Sequence, residues 1–466
     1  MTLSLDVIVP TKPTLDPGFV PALLWNRAYQ SLVDANPESI PIALALTRTD
    51  DTVSIFETRI LPHAGDAVAL NRKYIERLVK FLLWQKGGYR ITVGGSPEVA
   101  AMLRDIYSPT GLRAFDVGIV GKKMYGQSMV VEDCAIADMP ASRETSKPLG
   151  RNLNGCRIGF DLGGSDRKAA ALVDGDVVFS EEITWSPYFE KDPSYHIKGI
   201  QETLTRAAEH LPHVDAIGGS AAGVYINNEV RVASLFRGIS EEAFETHVRR
   251  LFFDLQARWN NIPLEVVNDG EVTALAGSMS MGVNAVLGVS MGTSTAAGYV
   301  TASGNITPWL NELAFVPVDY RDDAPADEWS GDIGCGVQYF SQQAVARLAP
   351  EAGIELAEDM PLPEKLVEVQ KLVANNDERA VKIYETIGTY FGYSIAHFAE
   401  FYDIGNLLIL GRVTSGRGGE IIIEKTEALL KSEFAELEES IKLRTPDEKS
   451  KRHGQAIAAA SLPEIG

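Results

Sequence analysis

Three short glycine-bearing segments and two carboxylates hold the chemistry open to this chain. The first segment, Arg157-Ile158-Gly159-Phe160-Asp161-Leu162-Gly163-Gly164-Ser165, ends an apolar run in one acid and follows it with a turn almost free of side chains. Such a turn lets the backbone approach phosphate oxygens and aim N–H groups at them, while Asp161 is placed to hold a magnesium ion, directly or through water. Gly163, Gly164 and Ser165 are therefore candidate nucleotide contacts. Lys168 either reaches a phosphate or is a solvated strand residue.

A second strand–turn–strand repeats the design: 285–290, then Met291-Gly292-Thr293-Ser294, then 295–300. Its glycine and hydroxyls can meet an oxyanion at little steric cost. Near the C-terminus an apolar strand, 406–410, runs into Gly411-Arg412-Val413-Thr414-Ser415-Gly416, and a helix begins around 419. A flat purine ring needs a gap that bulky side chains would fill. Between these segments a short strand, 264–267, closes in Asn268-Asp269-Gly270.

The elements that must position these residues belong to a globular α/β chain. With 466 residues and 45% hydrophobic content, two or three lobes are expected. The formal net charge of -20, from 43 basic and 63 acidic residues, argues against a nucleic-acid or acidic-membrane partner, which needs basic patches. ATP is not excluded, because a few local donors can hold a phosphate inside an acidic protein. Cys134, Cys156 and Cys335 are odd in number and far apart, which fits free thiols in a reducing compartment. Residues 1–9 lack a basic n-region and a long apolar core, and no apolar run is long enough to span a bilayer, so the cytoplasm is the expected location.

Residues 1–155 read as strands at 40–46, 53–60 and 89–93 with helices at 70–85 and 97–107. Gly94-Gly95-Ser96 is either a βα turn or an anion site at a helix N-terminus. A polar stretch, 139–154, with Ser142, Arg143, Glu144 and Pro148, sets a boundary between 1–155 and 156–466. Hairpin strands at 168–173 and 177–183 then flank Asp174-Gly175. A helix follows at 197–210, a strand at 216–219, β structure through 232, and a helix at 241–259 capped by Ser240. Gly270, Ala274 and Ser278 recur every four residues, as do Gly388, Gly392 and Ala396 within a helical stretch at 379–401. These matched rows predict two paired helices connecting the lobes.

In this order the pieces resemble the actin and hexokinase-like ATPase superfamily, of ribonuclease H-like fold, and within it the sugar kinases and regulators of the ROK family. The resemblance covers about 157–462, including a last helix at 454–460, and leaves the N-terminal α/β region outside it. It implies a two-lobed fold, ATP and Mg²⁺ as cofactors, and a small sugar or polyol substrate. It also implies that Asp161 and Ser165 face the phosphate and its metal, that Gly292, Thr293 and Ser294 hold the second phosphate contact, and that Gly411 and Arg412 border adenosine. Asp269 matches the family's catalytic aspartate, Asn268 its sugar-binding amide and Glu312 its sugar-binding glutamate. Related kinases are often dimers, so a homodimer is the corresponding expectation.

The pattern breaks where the family has a histidine, here Phe315, and a cysteine-rich zinc loop, here Ser330-Gly331-Asp332-Ile333-Gly334-Cys335-Gly336. Structural zinc needs about four nitrogen or sulfur ligands, so no structural zinc is expected. The leading expectation is an ATP-dependent kinase converting hexose to hexose 6-phosphate, with Asp269 as general base. The alternatives are a kinase acting on a non-hexose acceptor such as a cyclitol, and a non-catalytic sugar-binding regulator. Residues 1–155 form an accessory substrate-capping or oligomerisation domain or a divergent repeat of the hairpin-rich lobe; the sequence leaves these open.

Overall fold

The computed structural model describes residues 5–144, 149–445 and 448–465; Pro148 of the expected linker lies outside them. The N-terminal region contains α1 (Ala22–Asp34), β1 (Ile40–Thr47), β2 (Val53–Ile60), α2 (Ala67–Lys86), β3 (Arg90–Gly94), α3 (Pro97–Ile106), α4 (Ala114–Asp116) and β4 (Val130–Cys134). Its strands form one sheet in the order β2-β1-β3-β4, with β1 antiparallel to both β2 and β3. The Gly94-Gly95-Ser96 step is a capped βα turn. Ser96 Oγ accepts from the Val99 amide, and a Cβ on Gly95 would lie 2.4 Å from the Pro41 carbonyl oxygen.

Lobe I runs from β5 (Cys156–Leu162) through β6 (Asp166–Val173), β7 (Asp176–Thr184), α5 (Pro193–Ala208), β8 (Ala216–Ala221), β9 (Val224–Ile226) and β10 (Glu229–Val232). It continues with α6 (Glu241–Ala243), α7 (Leu251–Arg258) and β11 (Leu264–Asn268). Asp174 and Gly175 take φ of 48° and 91°, the positive angles a two-residue hairpin needs. Ser240 caps α6 as expected, but the helix then widens into π turns over Phe244–Val248 and breaks before α7. The sheet order is β11-β8-β5-β6-β7.

Lobe II follows with α8 (Asp269–Met281), β12 (Val286–Met291), β13 (Thr295–Val300), α9 (Gln342–Glu351), α10 (Leu362–Ala374), α11 (Glu378–Phe398) and β14 (Asn406–Leu410). It ends with α12 (Arg417–Glu433), α13 (Ala435–Ser440), β15 (Lys442–Arg444) and α14 (Glu448–Ala460). Its sheet, β13-β12-β14-β15, repeats the plan of lobe I: the first strand pairs antiparallel with the second and parallel with the first strand after the hairpin, β8 in lobe I and β14 in lobe II. A single bridge, Val300 to Ile306, stands where lobe I has β7. In the N-terminal sheet the corresponding third pairing is antiparallel, so that region is not a further copy of the lobe.

The small-residue rows pack closely, but not on each other. A Cβ on Gly270 would lie 2.3 Å from the Ala297 carbonyl oxygen, so the α8 row lies on β13; the Gly388 and Gly392 face of α11 lies on α12. The helix paired with α8 is α14. That helix also presses on lobe I, where a Cβ on Gly159 or Gly218 would lie 1.7 Å from the Ala456 or Ala459 carbonyl oxygen. A spacing of four reports close approach without naming the partner, and a strand or a helix can supply it.

Lobe I closes a core of its own around Ile158, Phe160, Ile217, Phe252 and Leu255. Lobe II shares one continuous core with the N-terminal region, running from Tyr29, Leu83 and Trp84 to Val289, Phe315 and Ile409. Among the described residues no helix is long and apolar enough to cross a membrane.

Candidate functional site

Parallel pairing of β5, β8 and β11 brings three strand ends to one edge, with Leu162 and Asn268 both level with Ala221. Asp161 is buried there and accepts a 2.6 Å hydrogen bond from the Ser220 hydroxyl. Lys168, from the facing strand, puts its ammonium 3.9 Å from Asp161 and 3.2 Å from Asp166. Burial raises the Asp161 carboxyl, and Ser220 and Lys168 only partly offset it. A buried carboxylate so poorly compensated is a hard-oxygen donor suited to Mg²⁺. The turn after it closes through Gly163 N–H to the Asp166 carbonyl, while the Gly163 carbonyl accepts from the Trp185 indole. A Cβ on Gly164 would lie 1.9 Å from the Tyr188 hydroxyl, so packing as well as ligand access requires glycine there. The Ser165 hydroxyl is exposed and bonds Asp166.

Asp269 begins α8 immediately past β11, which places it two strand spacings, about 10 Å, from β5. Burial, followed by the charge of Asp161, raises its carboxyl to about 6 against the pull of the Gly270 amide. Glu312 rises to about 7 through burial and then the charge of Asp269. Glu271, two residues beyond Asp269, is raised to about 8 chiefly by burial, with Glu312 adding to it, although the Asn311 amide and the Tyr299 N–H bond it. Asn268 caps α8 through Oδ1 and the Gly270 N–H, and its Nδ2 holds the Gly223 carbonyl. Each of those two atoms retains capacity for one further hydrogen bond.

Helix α8 divides two cavities. Asn268 and Glu271 line one, together with Glu312, Trp309, Tyr225 and Asn228. Thr273, Ala276 and Gly277, on the following turns, line the other with Gly411, Arg412 and Gly416. Thr273 joins the two sides: its hydroxyl donates to the Asp269 carbonyl and accepts from Gln455 of α14. The second hairpin turn closes through Gly292 N–H to the Ser294 carbonyl, leaving Thr293 and Ser294 exposed. It adjoins the second cavity because Gly411, at φ 104°, is pressed against Met291, where a Cβ would lie 2.4 Å from the carbonyl oxygen. Glycine at 411 thus answers to the neighbouring strand β12 as well as to any purine gap.

The segment 330–336 is fastened by charge. Asp332 lies 3.1 Å from the fully buried Lys80 ammonium, 2.6 Å from Arg113 and 3.5 Å from Arg77, all from the N-terminal region. Burial would raise its carboxyl, but Lys80, Arg113 and Arg77 together hold it well below the usual carboxylate range. Cys335 is buried with its thiol against Asp332. Phe315 packs with Trp84 and Trp329, ring centres 4.3 and 5.4 Å away. Sequence reasoning missed Glu271, Thr273 and Gln455, and also Arg48, Thr49, Asp50 and Tyr125, which line the first cavity. The one local signal was Glu271, an acid beside the small-residue face of α8.

The sequence matches no protein-family model and no curated protein. Solved structures do match. A ROK hexokinase from Thermus thermophilus has a TM-score of 0.52 at 18% identity, over 66% of this chain and 96% of that one. A ROK family glucokinase from Streptomyces griseus, in complex with glucose and AMPPNP, has a TM-score of 0.50 at 19% identity, over 67% and 100%. A ROK family transcriptional regulator, a homolog of the E. coli MLC protein, has 0.51 at 17%, over 67% and 79%. The fold is therefore the two-lobed actin/hexokinase-like architecture of ROK sugar kinases and regulators.

Proposed function

We propose that this chain is an ATP-dependent kinase of the ROK type that transfers the γ-phosphoryl group to a hexose hydroxyl, in the simplest case giving hexose 6-phosphate. The observation carrying this is the position of Asp269, at the head of the one helix among the described residues that lines both cavities and within electrostatic reach of Asp161 and Glu312. The cavity holding Asn268 and Glu312 receives the acceptor, and the cavity bordered by Gly411 and Arg412 receives adenosine.

A sugar hydroxyl is a poor nucleophile at neutral pH, so a carboxylate must orient it and take its proton as oxygen bonds to phosphorus and ADP departs. Asp269, raised to about 6, is ionised at neutral pH and is a stronger base than an ordinary aspartate. Gly164 and Ser165 on one hairpin, and Thr293 and Ser294 on the other, present N–H and hydroxyl donors to the phosphates, while the Gly163 and Gly292 amides close the turns that carry them. Lys168 neutralises Asp161 and Asp166 in the free protein and is placed to turn toward a phosphate. Mg²⁺ held at Asp161 would supply the remaining charge neutralisation of the phosphoryl oxygens.

ADP release measured over hexoses and cyclitols, with wild type and Asp269→Asn, tests this. Acceptor-stimulated turnover by wild type, lost in the variant, is the expected result; no turnover above the ATPase background by folded protein overturns it. The departure from the family pattern at Phe315, packed among Trp84 and Trp329, motivates one second reading, a non-hexose acceptor such as a cyclitol. Because one structural neighbour is described as a regulator, turnover rather than sugar binding decides the question.

A further inference from the structure

The cavity containing Asn268, Glu271 and Glu312 is not walled by the two lobes alone, since Arg48, Thr49, Asp50 and Tyr125 of the N-terminal region complete it. We propose that this region is the specificity-determining wall of the acceptor site: the β1–β2 turn at Thr49 and Asp50 closes on a neutral polyhydroxylated acceptor and repels an anionic one. The proposal rests on the reading of that cavity as the acceptor site.

The turn is built rather than loose. Arg48 is 2% exposed, and its guanidinium donates to Thr52 Oγ1 at 2.7 Å, Ser54 Oγ at 2.9 Å, the Lys86 carbonyl at 3.1 Å and Glu144 at 3.3 Å. Asp50 Oδ1 accepts from the Thr52 amide at 3.1 Å and its hydroxyl at 2.6 Å. Thr49 and Asp50 are left exposed at the cavity. The same region also holds the wall that lobe II contributes. Glu144 accepts from the Trp309 indole at 2.9 Å, and the Lys86 ammonium lies 3.0 Å from the Trp309 ring centre. At Gly87 a Cβ would lie 2.0 Å from the Tyr125 hydroxyl and 2.9 Å from Leu310, so the two regions interlock there.

Charge supplies the selectivity. Asp50, Glu265, Glu271 and Glu312 line the cavity against one cation among the described lining residues, Arg48, whose donors are already engaged. Near neutral pH Glu271, raised to about 8, is largely protonated and Glu312, raised to about 7, is partly so, and the like charge met by a carboxylate or phosphate at low local dielectric comes mainly from Asp50 and Glu265, while neutral hydroxyls find polar partners in all four.

Calorimetric titration of glucose, myo-inositol and glucuronate into the full-length protein tests the wall independently of turnover. Wild type is expected to bind glucose or inositol at least about tenfold more tightly than glucuronate. Asp50→Arg should shrink that preference about tenfold, and Thr49→Arg should weaken the neutral ligand about tenfold by filling the wall. Both substitutions are at exposed positions, and circular dichroism verifies folding. Unchanged preference and affinity in both variants, equal binding of glucuronate by wild type, or no binding of any probe overturns the proposal. Binding that shifts as expected without acceptor-stimulated ADP release overturns the kinase reading and leaves the wall standing.

Discussion

In lobe I, Ile158, Phe160, Ile217 and Phe252 close a separate core, whereas lobe II merges Val289, Tyr299 and Ile409 with Tyr29, Leu83 and Trp84 of the N-terminal region. One strand plan is thus anchored in two ways. Lobe I meets the rest of the chain largely through α8 and α14, while lobe II is fixed to a second sheet by apolar burial and by the buried charges around Asp332. Lobe I is thus a separate core joined to a heavier body, with Asp269 heading α8, which contacts both.

The largest expected effect falls on that spanning element. Asp269→Asn should reduce acceptor-stimulated turnover by about 10²–10⁴-fold while ATP still binds, measured by ADP release and nucleotide titration. Next come two substitutions that separate the two bodies. Asp332→Ala removes one of the two carboxylates held by each of Lys80 and Arg113, leaving them to Asp116 and Glu76 alone, and should cost about 3 kcal/mol. Phe252→Ala removes a ring from the lobe I core and should also cost about 3–5 kcal/mol. Hydrogen exchange distinguishes them: Phe252→Ala should loosen β5 and β8 while β1 and β14 stay protected, and Asp332→Ala should loosen β1 and β14 together. Loss of protection confined to α2 in Asp332→Ala would break the single-body description.

The two regions also differ in sign with pH. Asp269, Glu312 and Glu271 are raised to about 6, 7 and 8, so the stability they confer is full below their unfolded values and is lost as pH rises through that range. Asp332 is lowered, so its contribution is present above the unfolded value, about 4, and is lost as pH falls below it. Melting temperature should therefore be highest near about pH 5, even though turnover rises as pH increases through about 6. A melting temperature that climbs steadily from pH 5 to 8 would contradict the site's electrostatics. The smallest effect is expected from Ser220→Ala, which removes the hydroxyl bonded to Asp161. The Mg²⁺ concentration for half-maximal turnover should shift a few-fold at most, about 1 kcal/mol.

Much of the site was legible because its signals are local. The strand ending at Asp161 and Leu162, the Asp174-Gly175 hairpin, β14 and the Asn268-Asp269 junction lie where sequence reasoning put them. Apolar periodicity and glycine conformation act within a few residues, so a linear reading captures them. The partner of the α8 row was not legible, because small residues admit any close neighbour, and β13 and α14 occupy positions expected for α11. Glu271 was passed over because an acid beside a small-residue face does not by itself show burial, and only the fold sets it against Asn311, forty residues away.

The sequence by itself determined the strand ends, the two glycine hairpins and the acid heading α8, since backbone conformation and hydrophobic alternation are set over spans of a few residues. Only the tertiary structure decided that Lys80 would meet Asp332, that Glu144 would hold Trp309, and that Thr49 and Asp50 would close a cavity begun by Asn268. Those contacts join residues far apart in the chain. Their energy comes from burial and charge compensation, which exist only once the N-terminal sheet and lobe II have formed one core.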